Sequence, residues 1–163
     1  MGKLNEGLFS SKDQTWETPQ CLFDNLNNVF KFTLDVCATP ETSKCDVYFT
    51  PEIDGLSQDW NGNVCWMNPP YGREQIKWIS KAQKESLNNA TVVCLIPART
   101  DTKVWHDVIF PNARAVCFVR GRLKFGGSKS SAPFPSAIIV FSDEITAEQK
   151  DVLKNIGALF VCE

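Results

Sequence analysis

Val64-Cys65-Trp66-Met67-Asn68-Pro69-Pro70-Tyr71-Gly72 is the stretch on which the reading of this 163-residue chain turns. Four apolar residues make a run of strand length. Two consecutive prolines then follow, which cannot donate ladder hydrogen bonds, so the strand stops at Met67 in a stiff turn. Working outward, similar apolar runs lie at residues 32–37, 91–96, 115–119, 137–141 and 158–162, with a short β-like Val47-Tyr48-Phe49 in an otherwise irregular stretch over 38–63. Helical patterns separate them. Thr18-Pro19 predicts a helix start, with Thr18 as N-cap and Pro19 at the first helical position. Leu22, Phe23, Leu26, Val29 and Phe30 continue it at helical spacing. Residues 73–88, with Ile76, Ile79, Ala82 and Leu87 on the apolar side, 102–110 and 147–156 read as three further helices. Strands alternating with helices predict an α/β protein with a largely parallel central sheet. Such sheets bind ligands at the C-terminal ends of their strands, which is where the Asn68 turn falls.

The length suits one domain over residues 1–163, with 1–17 as a polar N-terminal arm. A hydrophobic content of 43% and a charged content of 22% exclude a disordered chain. No apolar run reaches the length of a membrane helix, and Asn5 and Glu6 stand where a signal peptide needs its apolar core. A cytoplasmic protein is expected. Seven cysteines without a C-x-x-C pair suggest neither a disulfide framework nor a zinc site, so no metal is expected. His106 is the only histidine and has no recognisable partner for catalysis. The net charge of −2 hides an uneven distribution: residues 99–129 carry seven basic and two acidic side chains. That stretch can present a positive face to phosphates, or simply be a solvated charged surface.

The Asn68-Pro69-Pro70-Tyr71 turn has the parts needed to activate an aromatic amine. The lone pair of such a nitrogen is delocalised into its ring. If the Asn68 side-chain oxygen and the Pro69 carbonyl each accept one amine hydrogen, the nitrogen is drawn toward tetrahedral geometry and its developing charge is stabilised. Pro70 stiffens the turn, and Tyr71 offers a face on which a base can stack in line with a methyl donor. A plain Pro-Pro turn at a strand end is the structural alternative for the tetrapeptide alone.

The turn resembles the acceptor-binding motif of the DNA amino-methyltransferases, Asn/Asp/Ser-Pro-Pro followed by an aromatic residue. Together with Trp16-Glu17-Thr18-Pro19, Leu34-Asp35-Val36-Cys37-Ala38, Asp54-Gly55-Leu56 and Asp59-Trp60, it is similar to the small phage-encoded, Dam-like DNA N6-adenine methyltransferases. The likeness continues through Ile96-Pro97-Ala98-Arg99-Thr100-Asp101, Gly121-Arg122-Leu123-Lys124-Phe125-Gly126-Gly127 and Pro133-Phe134-Pro135-Ser136-Ala137, covering about residues 9–141.

The resemblance implies a Rossmann-like, three-layer αβα domain that uses S-adenosylmethionine and acts on adenine in double-stranded DNA. Catalysis falls to Asn68, Pro69, Pro70 and Tyr71. Donor contacts fall to Trp16, Thr18, Pro19, Asp35, Cys37, Ala38, Asp54, Asp59 and Trp60. Asp59 is placed against the donor's adenine amine and Asp54 against its ribose. The donor loop departs from the usual glycine-rich form, reading Asp35-Val36-Cys37-Ala38-Thr39. The target base is expected to be flipped out of the duplex, with Phe125 or Phe134 on its far face. Arg99, Arg120, Arg122, Lys124 and Lys129 are expected at phosphates or guanine edges. Loops 72–76, 99–105 and 120–135 are the candidates for sequence readout. A monomer or a homodimer suits a short palindromic site. The tetrapeptide itself also suits RNA adenine, cytosine N4 or protein glutamine as acceptor, and an inactive DNA-binding relative is the non-enzymatic alternative.

Overall fold

Apolar residues at consecutive strand positions point to opposite faces, so strands this uniformly apolar must be covered on both sides. The computed structural model describes residues 16–126 and 130–163 and has this arrangement. Lys129, one of the expected DNA contacts, and most of the N-terminal arm lie outside the described residues. In chain order the elements are α1 (Gln20–Phe30), β1 (Leu34–Asp35), a 3-10 turn (Gly55–Ser57), β2 (Val64–Met67), α2 (Gln75–Ser86) and β3 (Thr91–Pro97). A π-helical segment (Trp105–Ile109) runs into α3 (Phe110–Asn112), followed by β4 (Ala115–Val119), β5 (Ser136–Phe141), α4 (Ala147–Ile156) and β6 (Gly157–Val161).

Two hydrophobic clusters divide the strand residues alternately. Cys65, Met67, Val92, Cys94, Ile96, Val116, Ala137, Ile139 and Phe141 pack with Trp78, Ile79 and Ala82 of α2 and with Trp105 and Ile109. Trp66, Val93, Leu95, Ala115, Cys117, Ile138 and Val140 pack with Leu22, Phe23, Leu26 and Phe30 of α1 and Leu153 of α4. On α2, Trp78 joins Ile79 and Ala82 in the buried set. Ile76 and Leu87, expected on the same side, are exposed.

The six strands form one sheet in the order β1-β2-β3-β5-β4-β6. The α/β class holds, but a largely parallel sheet does not. Only β1–β2 and β2–β3 are parallel pairs, while β3–β5, β4–β5 and β4–β6 are antiparallel. The reason lies in the connections. A parallel neighbour needs a long crossover, usually a helix. The described residues of the 120–135 link hold no helix, and β5 returns antiparallel beside β4, with Phe118 opposite Ala137. Helix α4, started by a reciprocal Thr146–Gln149 capping box, then carries the chain over to β6. It turns into β6 with no intervening loop, and a Cβ at Gly157 would lie 2.0 Å from the Phe118 carbonyl oxygen.

Two local expectations change near β2. The strand expected over 32–37 keeps only two ladder residues, because Asp35 also bridges to Tyr48 and the chain then turns away. Helix α1 begins one residue later than expected: Pro19 occupies the N-cap, with no side-chain cap bond, and the Thr18 hydroxyl is used elsewhere. No helix among the described residues is long and apolar enough to cross a membrane.

Candidate active site

The ends of β1 and β2 open on a cavity of about 390 Å³, which falls in the range of small-molecule sites. Trp16, Thr18, Asp35, Cys37, Ala38, Asp54, Asn68, Pro69 and Pro70 all line it, so one cavity gathers most of the catalytic and donor-binding residues expected from the sequence and, among the described residues, none of the expected DNA contacts. These lining residues are supplied by the segment before α1, the β1 end, the N-cap of the 3-10 turn and the Pro-Pro turn after β2. The 3-10 turn approaches β1 so closely that a Cβ at Gly55 would sit 2.2 Å from the Val36 carbonyl oxygen.

Asn68 is held by the segment before α1. Its Nδ2 donates to the Trp16 carbonyl and to the Thr18 hydroxyl, the latter at 3.1 Å. Its Oδ1 is buried and has no hydrogen-bond partner among the described residues. A buried acceptor without a donor costs about 1–3 kcal/mol, so this oxygen is a standing vacancy for an N–H group. The orientation of the amide is chemically determined, because turning it over would set Oδ1 against the Trp16 carbonyl, which can only accept.

Asp35 is 3% exposed, and its carboxylate ties the wall together: Oδ2 accepts from the Lys44 backbone N–H at 3.0 Å and Oδ1 from that of Cys37 at 3.3 Å. Burial pushes its pKa up to about 6, against the lowering effect of these two bonds and of the Lys44 charge. Asp54 adopts a left-handed backbone (φ 59°) and caps the 3-10 turn by accepting from Leu56 N–H. The Cys37 thiol is pushed up to about 12 by burial, which leaves it a packing group with no nucleophilic character at neutral pH.

Several cavity residues have no role assigned from the sequence: Glu17, Thr42, Lys44, Phe49, Trp66 and Trp78; Thr39 of the donor loop and Glu74 of the 72–76 loop line it as well. Lys44 pairs with Glu17 at 3.5 Å and donates to Gln20 Oε1 at 2.9 Å. Trp66 carried a usable signal, since a period of two along β2 puts it on the same side as Asn68. Lys44 and Glu17 sit in irregular segments where no periodicity points anywhere.

Other expected residues lie apart from the cavity. Asp59 is exposed and its carboxylate accepts from Asn61 N–H, an ordinary turn cap. Trp60 is fully buried; its Nε1 donates to the Gly55 carbonyl at 2.9 Å and its backbone N–H to Glu85 Oε2 at 3.0 Å. Pro19 acts as the α1 N-cap. Tyr71 is 7% exposed, with its hydroxyl 3.5 Å from the Leu95 carbonyl, and burial raises its pKa. It meets Phe125 and Phe134 edge-on at 6.3 and 5.4 Å, and both phenylalanines are buried in contact with Trp16. The three rings expected to embrace a base are thus packed on one another. Arg99, Arg120, Arg122 and Lys124 are exposed, with the Arg99 guanidinium 5.9 Å from the Phe134 ring centroid.

The arrangement combines an apolar, acid-rimmed cavity, an adjoining unpartnered amide oxygen, an aromatic cluster and an exposed basic loop. The family model described as DNA N-6-adenine-methyltransferase (Dam) matches residues 7–157. The DNA N-6-adenine-methyltransferase of Haemophilus phage HP1 (strain HP1c1) is 38% identical over 113 residues, covering 68% of this chain and 64% of that protein. The protein of the same description from Escherichia phage T1 is 29% identical over 110 residues, covering 66% of this chain and 45% of its own length. The matched stretch therefore spans less than two thirds of either relative. The family match runs through the cavity wall, the Asn68 turn and the sheet as far as the start of β6, and this chain belongs to the Dam family of DNA N-6-adenine-methyltransferases.

Proposed function

We propose that this protein transfers a methyl group from S-adenosylmethionine to the exocyclic N6 of adenine in double-stranded DNA, on a Rossmann-like, three-layer αβα scaffold, in the cytoplasm of a bacterial host. The observation that carries the reading is the buried, unpartnered Oδ1 of Asn68 beside the cavity. An amine is the group that satisfies it, and the Pro69 carbonyl is the second acceptor.

The cavity suits the donor. The walls of Trp16, Phe49, Trp66 and Trp78 fit a nucleoside, the acids Asp35 and Asp54 fit cationic groups, and Lys44 fits a carboxylate. When bound, the donor supplies an electrophilic methyl on a sulfonium. Asn68 and Pro69 orient the N6 hydrogens, localise the nitrogen lone pair toward that methyl and stabilise the charge that builds on nitrogen. The N6 proton becomes acidic only as the new C–N bond forms, so it departs to solvent without a strong base. A flipped adenine enters by separating Phe125 or Phe134 from Tyr71, whose ring then takes one face of the base. Arg99, Arg120, Arg122 and Lys124 hold the phosphates on either side.

The test is direct. Purified protein is incubated with S-adenosylmethionine and unmethylated DNA, and the digested nucleosides are analysed by mass spectrometry. N6-methyladenine is expected, with Asn68→Ala lowering kcat by about 10²–10³-fold while donor binding persists. Methylated cytosine, or methylation of only RNA or protein glutamine, would replace adenine as the acceptor. An unimpaired Asn68→Ala would remove the amide from the mechanism.

A further inference from the structure

We propose that Thr18 is a positioning residue for methyl transfer: its hydroxyl, acting with the Trp16 carbonyl, sets the Asn68 amide so that Oδ1 alone remains for the substrate amine. The proposal rests on the reading of Asn68 as the amine acceptor. The Asn68 side chain has two N–H donors and one oxygen, and a half-turn of the amide exchanges them. Nothing within the Pro-Pro turn decides between the two orientations. The decision comes from two acceptors fifty or more residues earlier in the chain, the Trp16 carbonyl and Thr18 Oγ. Each takes one of the two amide hydrogens. The nitrogen is fully satisfied and the oxygen is left over.

Thr18 is 3% exposed, so water does not substitute for its hydroxyl. A threonine before a helix ordinarily caps it. Here Pro19 takes the N-cap position, and the Thr18 oxygen is spent on Asn68 instead. Without that oxygen, one amide hydrogen is orphaned in a buried place and only the Trp16 carbonyl restrains the side chain. An amide rotated over would present N–H to the N6 amine, donor against donor.

The experiment compares Thr18→Val, which keeps shape and removes the acceptor, with Thr18→Ser, which keeps the acceptor and removes the methyl. The readouts are kcat on DNA, the Kd for S-adenosylmethionine, and thermal unfolding as a check on folding; Thr18→Ala replaces the valine should that variant not fold. The expected result is a kcat about 10–100-fold lower in Thr18→Val, the scale of a misplaced reacting group. Donor Kd stays within about threefold of the parent, and Thr18→Ser restores kcat to a similar margin. In single-turnover assays, Thr18→Val adds no further loss to Asn68→Ala, because the threonine acts through the asparagine. Unchanged kcat in Thr18→Val, an equal loss in the serine variant, a loss confined to donor Kd, or an additive double mutant would each overturn the proposal. An active Asn68→Ala would instead overturn the reading beneath it, so the two failures are distinguishable.

Discussion

On the proposed placement of the donor, Asp35 is expected to couple donor binding to pH, and the size of the coupling follows from its burial. The carboxyl moves from 3.8 to about 6 on folding, with desolvation as the largest cause. A carboxyl that holds its proton more tightly in the folded chain stabilises the fold below its unfolded value. That contribution is lost as pH rises from about 4 through about 6, and it amounts to about 3 kcal/mol in the ligand-free protein. A donor whose sulfonium and ammonium lie against Asp35 favours the ionised form and reverses the cost. At pH 5 about one Asp35 in ten is ionised, so the donor binds about tenfold more weakly than on the plateau above pH 7. Calorimetric titration with S-adenosylmethionine at pH 5, 6 and 7, in buffers of differing ionisation enthalpy, reads both the affinity and the proton released. Asp35→Asn is expected to bind more weakly at pH 7 and to lose the slope between pH 5 and 7. A wild-type affinity that stays flat from pH 5 to pH 7, with no proton release, would refute the placement of the donor's cationic side at Asp35.

Other expectations are simpler to test. Gly55→Ala forces a methyl to within 2.2 Å of the Val36 carbonyl oxygen, so the 3-10 turn must move off β1; urea unfolding should show a loss of about 1–3 kcal/mol, the cost of overpacking, together with weaker donor binding. Arg120→Ala and Arg122→Ala should weaken DNA binding across all sequences and lower the slope of log K against log salt by about 0.9 for each phosphate contact removed, as measured by binding titrations at several salt concentrations.

The elements most legible in the sequence were those whose signal is local. The last helix was expected over 147–156 and forms over Ala147–Ile156, where the structure shows a Thr146–Gln149 capping box at its start. Apolar runs marked β2 to β6 to within about a residue: β2 to β5 contribute to two cores, and the edge strand β6 keeps its apolar run although Phe160 and Val161 are exposed. Strand direction was less legible, since an apolar run reads the same both ways. The reading of 120–135 as a loop was the available clue to the antiparallel turn. The Asn68 turn stood out as a motif, whereas its partners did not: the hydrogen bonds from Asn68 to Trp16 and Thr18 span 52 and 50 residues. Thr18 is read in the sequence as a helix cap and a donor contact; Pro19 takes the cap position, Thr18 lines the cavity, and its bond to Asn68 had no local signal. Asp59-Trp60 drew attention as a pair, yet an Asp can cap a turn and a Trp can fill a core without either reaching a ligand.

The stretch from Thr39 to Asn63 has almost no ladder and still forms one wall of the cavity. It is pinned at one end where the Lys44 N–H meets Asp35, and at the other where Trp60 is clasped by Gly55 and by Glu85, itself paired with Lys81 at 2.7 Å. Loops of this length without regular structure are usually slack. Pinned in this way, the loop has given up its conformational entropy on folding, so a donor entering as proposed would not have to order it. Amide hydrogen exchange should register this as slow exchange at Trp60 in the ligand-free protein, at a position that by secondary structure alone belongs to an open loop.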